Sequence, residues 1–141
     1  MTKLMRNMLR SKKPVTYQGR TVYQDPKAFA FTHSNICKMW KRQAPRSHKG
    51  KIIELHHISG KDPSPLLEIR SGLHDKLTKQ LHFFIKESFR RDKAQAQAYD
   101  QFRQDYWKNV HKIILEVVKN PHIVNKYLRK PPRSYCLWNI Y

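Results

Sequence analysis

Long apolar runs are missing from this chain. No stretch approaches the ~18 consecutive apolar residues of a membrane-spanning helix, so no membrane span is expected. The first residues do not make a secretory signal: Met1, Leu4, Met5, Met8 and Leu9 alternate with Lys3, Arg6 and Arg10, an amphipathic pattern with no apolar middle. Residues 1–13 are therefore a basic N-terminal arm, either a short helix that packs on the domain or touches phosphate, or a disordered lead. Cysteine is scarce. Cys37 and Cys136 lie far apart and form no Cys-x-x-Cys pair, which excludes a zinc ribbon and a dithiol redox motif; two separate thiols are expected ahead of a disulfide. Acidic residues are the third shortage. Ten Asp and Glu stand against 29 Lys and Arg, a formal net charge of +19. Such an imbalance repels itself in a compact state. It narrows the partners to nucleic acid, an anionic membrane surface or an acidic protein.

What is present suffices for one core: 141 residues, 39% of them hydrophobic, match a single domain, expected over residues 14–141. Residues 14–25 carry Tyr, Thr and Val around Gln18-Gly19, a weak hairpin signature. Residues 27–42 hold a short helix starting near Ser34, with Ile36, Met39 and Trp40 on one face. Ala44-Pro45 ends it, and residues 46–50 turn. The segment 51–58 is a strand with Ile53, Leu55 and His57 on one side and Ile52, Glu54, His56 and Ile58 on the other. Residues 59–65 form a loop, 66–69 a second short strand, and Ser71 the N-cap of a following helix. From Leu73 to Asn120 there is no Gly and no Pro. Leu77, Leu81, Phe84 and Ile85 make one helical stripe; Tyr99, Phe102, Tyr106, Val110, Ile113 and Val117 make another, close to a heptad seam. A break near residues 91–93 makes them an antiparallel pair, and Pro121 stops the second. The tail is expected to fold back through Tyr135, Leu137, Trp138 and Tyr141.

A strand, a loop, a strand and a helix with a histidine near its start can clasp one divalent ion. His56 supplies an imidazole from the strand and His74 another from the helix, each neutral as a metal ligand must be. His57 points to the other side of the strand. It is free to serve as a general base instead. Glu54 shares the face of His56, where it can orient a ligand or position water, or simply pair with a lysine. His82 follows His74 by eight residues, ~12 Å along a straight helix and about 80° round it. Either the helix starts late or bends and His82 is a third ligand, or it contacts phosphate or packs the helix. Thr78 lies one turn after His74. His33, His48, His111 and His122 lack this context and are expected to be surface or packing residues.

The stretch from Met39 to His82 resembles the LHH subgroup of the HNH/endonuclease VII-type nucleases, found typically as C-terminal toxin domains of bacterial polymorphic toxins. The resemblance rests on Ala44-Pro45, the turn to Gly50, Glu54-Leu55-His56-His57-Ile58, the segment Pro65 to Ile69, His74 and Leu81-His82, with Ser34-Asn35 and Met39 upstream. The Glu-Leu-His-His string is also similar to that of the nuclease colicins. Two departures stand out: Ser64-Pro65 falls where the superfamily has an Asn, and Thr78 where the colicins have a further His. The resemblance implies an α+β, mainly helical fold, with a ββα-metal (His-Me finger) core over about 51–90 and a helical extension over 91–141. It implies a metal-dependent endonuclease that hydrolyses DNA with little sequence specificity, RNA being the weaker substrate. In that scheme His57 is the base, Glu54 an accessory catalytic residue, and His56 and His74 ligands of one divalent ion, with His82 the candidate third. Magnesium, manganese, zinc and nickel all stay open. Lys49, Lys51, Lys61, Arg70, Lys76 and Lys79 flank the motif and are expected to meet backbone phosphates. A toxin of this kind implies an acidic immunity protein, signal-independent secretion, and action in a target cell's cytoplasm. The competing expectation is a non-catalytic basic nucleic-acid-binding domain, which leaves Glu54, His56, His57 and His74 unexplained.

Overall fold

Gln18 and Gly19 both adopt positive φ, 49° and 74°. That geometry matches the twist of a two-residue hairpin, and strands β1 (Lys13–Tyr17) and β2 (Arg20–Gln24) run antiparallel from it. The computed structural model describes residues 3–25, 27–58, 65–71 and 92–119. A helix, α1 (Lys3–Arg10), precedes the hairpin. After it come α2 (His33–Trp40), β3 (Ile53–His57), β4 (Leu66–Arg70) and the 27-residue α3 (Lys93–Lys119). The strands form one sheet in the order β1-β2-β4-β3. Parallel pairing of Val22 with Leu66 and of Tyr23 with Leu67 joins its two antiparallel halves. The fold class is α+β. Among the described residues no helix is long and apolar enough to cross a membrane.

Strand alternation gives the sheet two different faces. On one, Val22, Ile53, Leu55 and Leu66 meet Ile36 and Met39 of α2 and Tyr99, Phe102, Tyr106, Trp107, Val110 and Ile114 of α3. On the other, Leu67 and Ile69 meet Tyr23, Ile58 and Met8 and Leu9 of α1. β4 is thus apolar on both sides, which is why its sequence does not alternate cleanly. Glu68 is the exception: fully buried, it accepts from the Tyr106 hydroxyl at 2.5 Å and the Asp25 N–H at 3.0 Å. Burial lowers the Lys12 ammonium below its ordinary range, opposed by the charges of Asp25 and Glu68.

α2 starts at His33, near Ser34 as expected, and is capped by Thr32, whose hydroxyl accepts from the Asn35 N–H at 3.1 Å. Three local expectations need correction. α2 ends before Pro45: Arg42 turns to φ 65°, and the N–H groups of Arg42 and Gln43 close back on Met39 and Lys38, satisfying the last carbonyls. Trp40 does not share the buried face of Ile36 and Met39; it is 55% exposed. The buried stripe is Asn35, Ile36 and Met39, and at about 100° per residue Trp40 lies roughly a quarter-turn away from its centre. On α3 the buried residue is Ile114, while Ile113 is only half-buried. A straight helix drifts off a strict heptad, and the seam widens toward Trp107 and His111. Asp92 caps α3 through the N–H groups of Ala94 and Gln95, at the expected break. Cys37 is a free thiol. The stripe of Leu77, Leu81, Phe84 and Ile85, the C-terminal tail and Cys136 lie outside the described residues.

Candidate active site

The approach to β3 is tied down by one side chain. Asn35 is buried, and its amide donates to the carbonyls of Ala30 at 2.9 Å and Arg46 at 3.0 Å while accepting from the Arg46 N–H at 2.8 Å. A buried amide saturated in this way fixes the loop to α2. The chain then turns over residues 47–50. Gly50 sits at φ 76°, and the Ser47 N–H donates to the Lys51 carbonyl at 2.7 Å. Ile53 N–H bonds to Pro45 O, so β3 begins held on its outer edge.

β3 pairs with β4 from Ile53↔Arg70 to His57↔Leu66, and Ile58 N–H continues the ladder to Pro65 O at 3.0 Å. The two histidines are separated as strand alternation requires. His57 lies on the α3 side: its ring centroid is 4.4 Å from that of Tyr99, with the rings inclined at 45°. Tyr99 is fixed in turn by its hydroxyl, which donates to Leu55 O, and the Arg103 guanidinium lies 5.2 Å from its ring centroid. Glu54 and His56 take the register positions opposite Ile69 and Leu67, on the face covered by the smaller cluster. His56 and His57 are 6% and 5% exposed. Glu54 is half-buried.

The expected cations divide differently. Lys49, Lys51 and Arg70 are exposed, but they sit at the Ile53 end of the strand pair. Four residues of strand, ~14 Å, separate that end from His57. Lys61, Lys76 and Lys79 lie outside the described residues, as do His74, His82, Thr78 and His122. Among the described residues no three histidine, cysteine or carboxylate groups gather as a metal site. The donor chemistry of β3 nonetheless suits a divalent ion: an imidazole and a carboxylate on one face are a borderline nitrogen and a hard oxygen donor, both of kinds that divalent ions take. They need further donors from elsewhere in the chain. Sequence reasoning missed Tyr99 as the neighbour of His57 and Glu68 as a buried acid. Tyr99 stood in the helical stripe, but nothing in the sequence said which strand residue it would meet.

A family described as a nuclease of the HNH/ENDO VII superfamily with conserved LHH matches residues 34–112. The match runs from α2 through the β3–β4 pair into α3, and β3 carries the chain's Leu-His-His run at Leu55-His56-His57. No solved structure matches the chain. With more than half its length matched, and that run placed where strand alternation parts the two imidazoles, the chain belongs to the LHH family of HNH/ENDO VII superfamily nucleases.

Proposed function

We propose that the protein is a metal-dependent endonuclease that hydrolyses DNA phosphodiester bonds with little sequence preference, RNA being the weaker substrate. The division of β3 supports this most directly: His57 on one face against Tyr99, Glu54 and His56 on the other. Hydrolysis of a phosphodiester needs a proton acceptor for water and a cation for the charge that develops on phosphorus. His57 takes the water's proton. The Tyr99 ring limits the positions its imidazole can adopt. Glu54 orients a neighbouring group on the His56 side. His56, with His74 and with His82 as the third candidate, would hold the ion, and when bound it would supply electrophilic stabilisation of the phosphate. The ββα-metal core and its helical extension belong to the same proposal, as does one nuclease domain over residues 14–141 behind the arm 1–13.

The cationic surface, with a net charge of +19, supports backbone binding that weakens steeply with salt. Lys49, Lys51 and Arg70 are exposed for that role, with Lys61, Lys76 and Lys79 proposed beside them. The same charge supports a toxin neutralised by an acidic immunity protein and delivered into a target cytoplasm. The test is conversion of supercoiled plasmid to nicked and linear forms, with chelator and then with magnesium, manganese, zinc or nickel restored. Cutting that stops with chelator and returns with one of these ions is the expected result. Binding without cutting under every ion leaves only the non-catalytic basic domain.

A further inference from the structure

Trp40 is the most exposed large hydrophobic side chain among the described residues, at 55%, and nothing in the proposed chemistry uses it. It sits at the end of α2, beside an open groove of about 430 Å³ walled by α3. Its ring is held in place: the Lys108 ammonium lies 4.6 Å from the ring centroid and donates to Trp40 O at 2.9 Å. Lys41 and Lys112 are exposed nearby, in chain and groove respectively. Among the described residues no carboxylate pairs with Lys41, Lys108 or Lys112. The groove's acid, Asp105, is already taken by Arg42 at 2.6 Å. The local charge is therefore positive, around an oriented flat ring.

A second cavity, of about 390 Å³, runs along Ile52–Leu55 of β3 and shares Arg42 with the first. From Tyr99, against His57, to Lys108 and Lys112 is nine to thirteen residues of α3, or ~14–20 Å.

We propose that this groove is a binding site for single-stranded nucleic acid: one unstacked base lies on Trp40 while the phosphates on either side meet Lys41, Lys108 and Lys112. Aromatic stacking beside lysines is the recognition such strands use, and it is indifferent to sequence. An acidic protein would use the lysines and gain little from the indole. The proposal rests on nucleic acid being the substrate, but not on His57 performing any chemistry.

The test is fluorescence anisotropy of the full chain with a labelled oligodeoxynucleotide of about twelve nucleotides, a length within the usual range of single-strand sites. Chelator is present throughout, so that turnover plays no part. Trp40→Ala weakens binding about five- to 150-fold, and Trp40→Phe recovers part of the loss. Lys41→Ala and Lys112→Ala, both at exposed positions, each lower the slope of log K against log salt by about 0.7. With an abasic oligonucleotide of the same length, Trp40→Ala binds like the parent. Unchanged affinity of Trp40→Ala for the normal oligonucleotide overturns the proposal, and so does an equal loss on the abasic one. A chain that never cuts, yet shows this pattern, keeps the groove and loses the catalytic reading; a chain that cuts, with Trp40→Ala binding unchanged, does the reverse.

Discussion

The two faces of the β3–β4 pair are made by alternate residues of the same two strands, yet they are finished differently. Toward α3, His57 ends a surface of Ile53, Leu55 and Leu66 that is closed by the long helix and its aromatic rings. Away from α3, Glu54 and His56 stand on the face of Leu67 and Ile69, whose apolar cover among the described residues is Met8 and Leu9 of α1, Tyr23 and Ile58. The difference shows how a strand can give two identical side chains separate surroundings. Successive residues of a strand face opposite sides, so His57 packs against the Tyr99 ring while His56 shares its face with Glu54. No loop geometry is required for this, only the pleat.

The largest expected effect tests that division. His57→Ala lowers plasmid cutting about 10²–10⁴-fold, the usual worth of a positioned base, while calorimetric titration finds ion binding close to the parent's. His56→Ala loses cutting to a similar degree and loses ion binding with it. If both variants weaken ion binding equally, the two faces do not separate the tasks. The next effect concerns packing. Leu66 and Leu67 are neighbours on β4, 0% and 1% exposed, facing the larger and the smaller cluster. Either truncation to Ala costs about 2–5 kcal/mol in urea unfolding, with Leu66→Ala toward the upper end because more rigid surroundings collapse less around a cavity. A larger loss for Leu67→Ala reverses the ranking of the faces.

Much of this was legible in the sequence. Gln18-Gly19 announced its hairpin, Ile53 to His57 its alternation, and Asp92 fell where the helical stripes had to break. The Leu-His-His run with its carboxylate carried the resemblance to the LHH nucleases; a pair of histidines by itself is too common to name an enzyme. What stayed hidden is long-range. Parallel pairing of β2 with β4 crosses α2 and β3, and no local pattern encodes it. Trp40 looked like a core residue by spacing, but the buried face of α2 is Asn35, Ile36 and Met39 and the indole lies in solvent. Nothing local marked Glu68 as a buried acid, since its partners Tyr106 and Asp25 are far away in sequence.

A third buried histidine belongs to neither face of β3 and offers the mildest test. His111, on α3, is 4% exposed, and its Nε2 has no hydrogen-bond partner among the described residues. Burial, and then the charge of Lys108 one turn earlier, lower its pKa below the ordinary 6.5. Its neutral form is thus the one the fold favours. As pH falls through about 6.5, the unfolded chain takes up this proton and the folded chain resists it, so stability that is intact above that value is lost toward the lower, folded pKa. His111→Leu has no proton to bind. Denaturant titrations at about pH 7 and pH 5 should show a smaller acid loss for His111→Leu than for the parent, by this one group's share. Equal losses would mean that His111 titrates as it does in an open chain, and that the wall α3 presents to the sheet is looser at Lys108–His111 than at Tyr99.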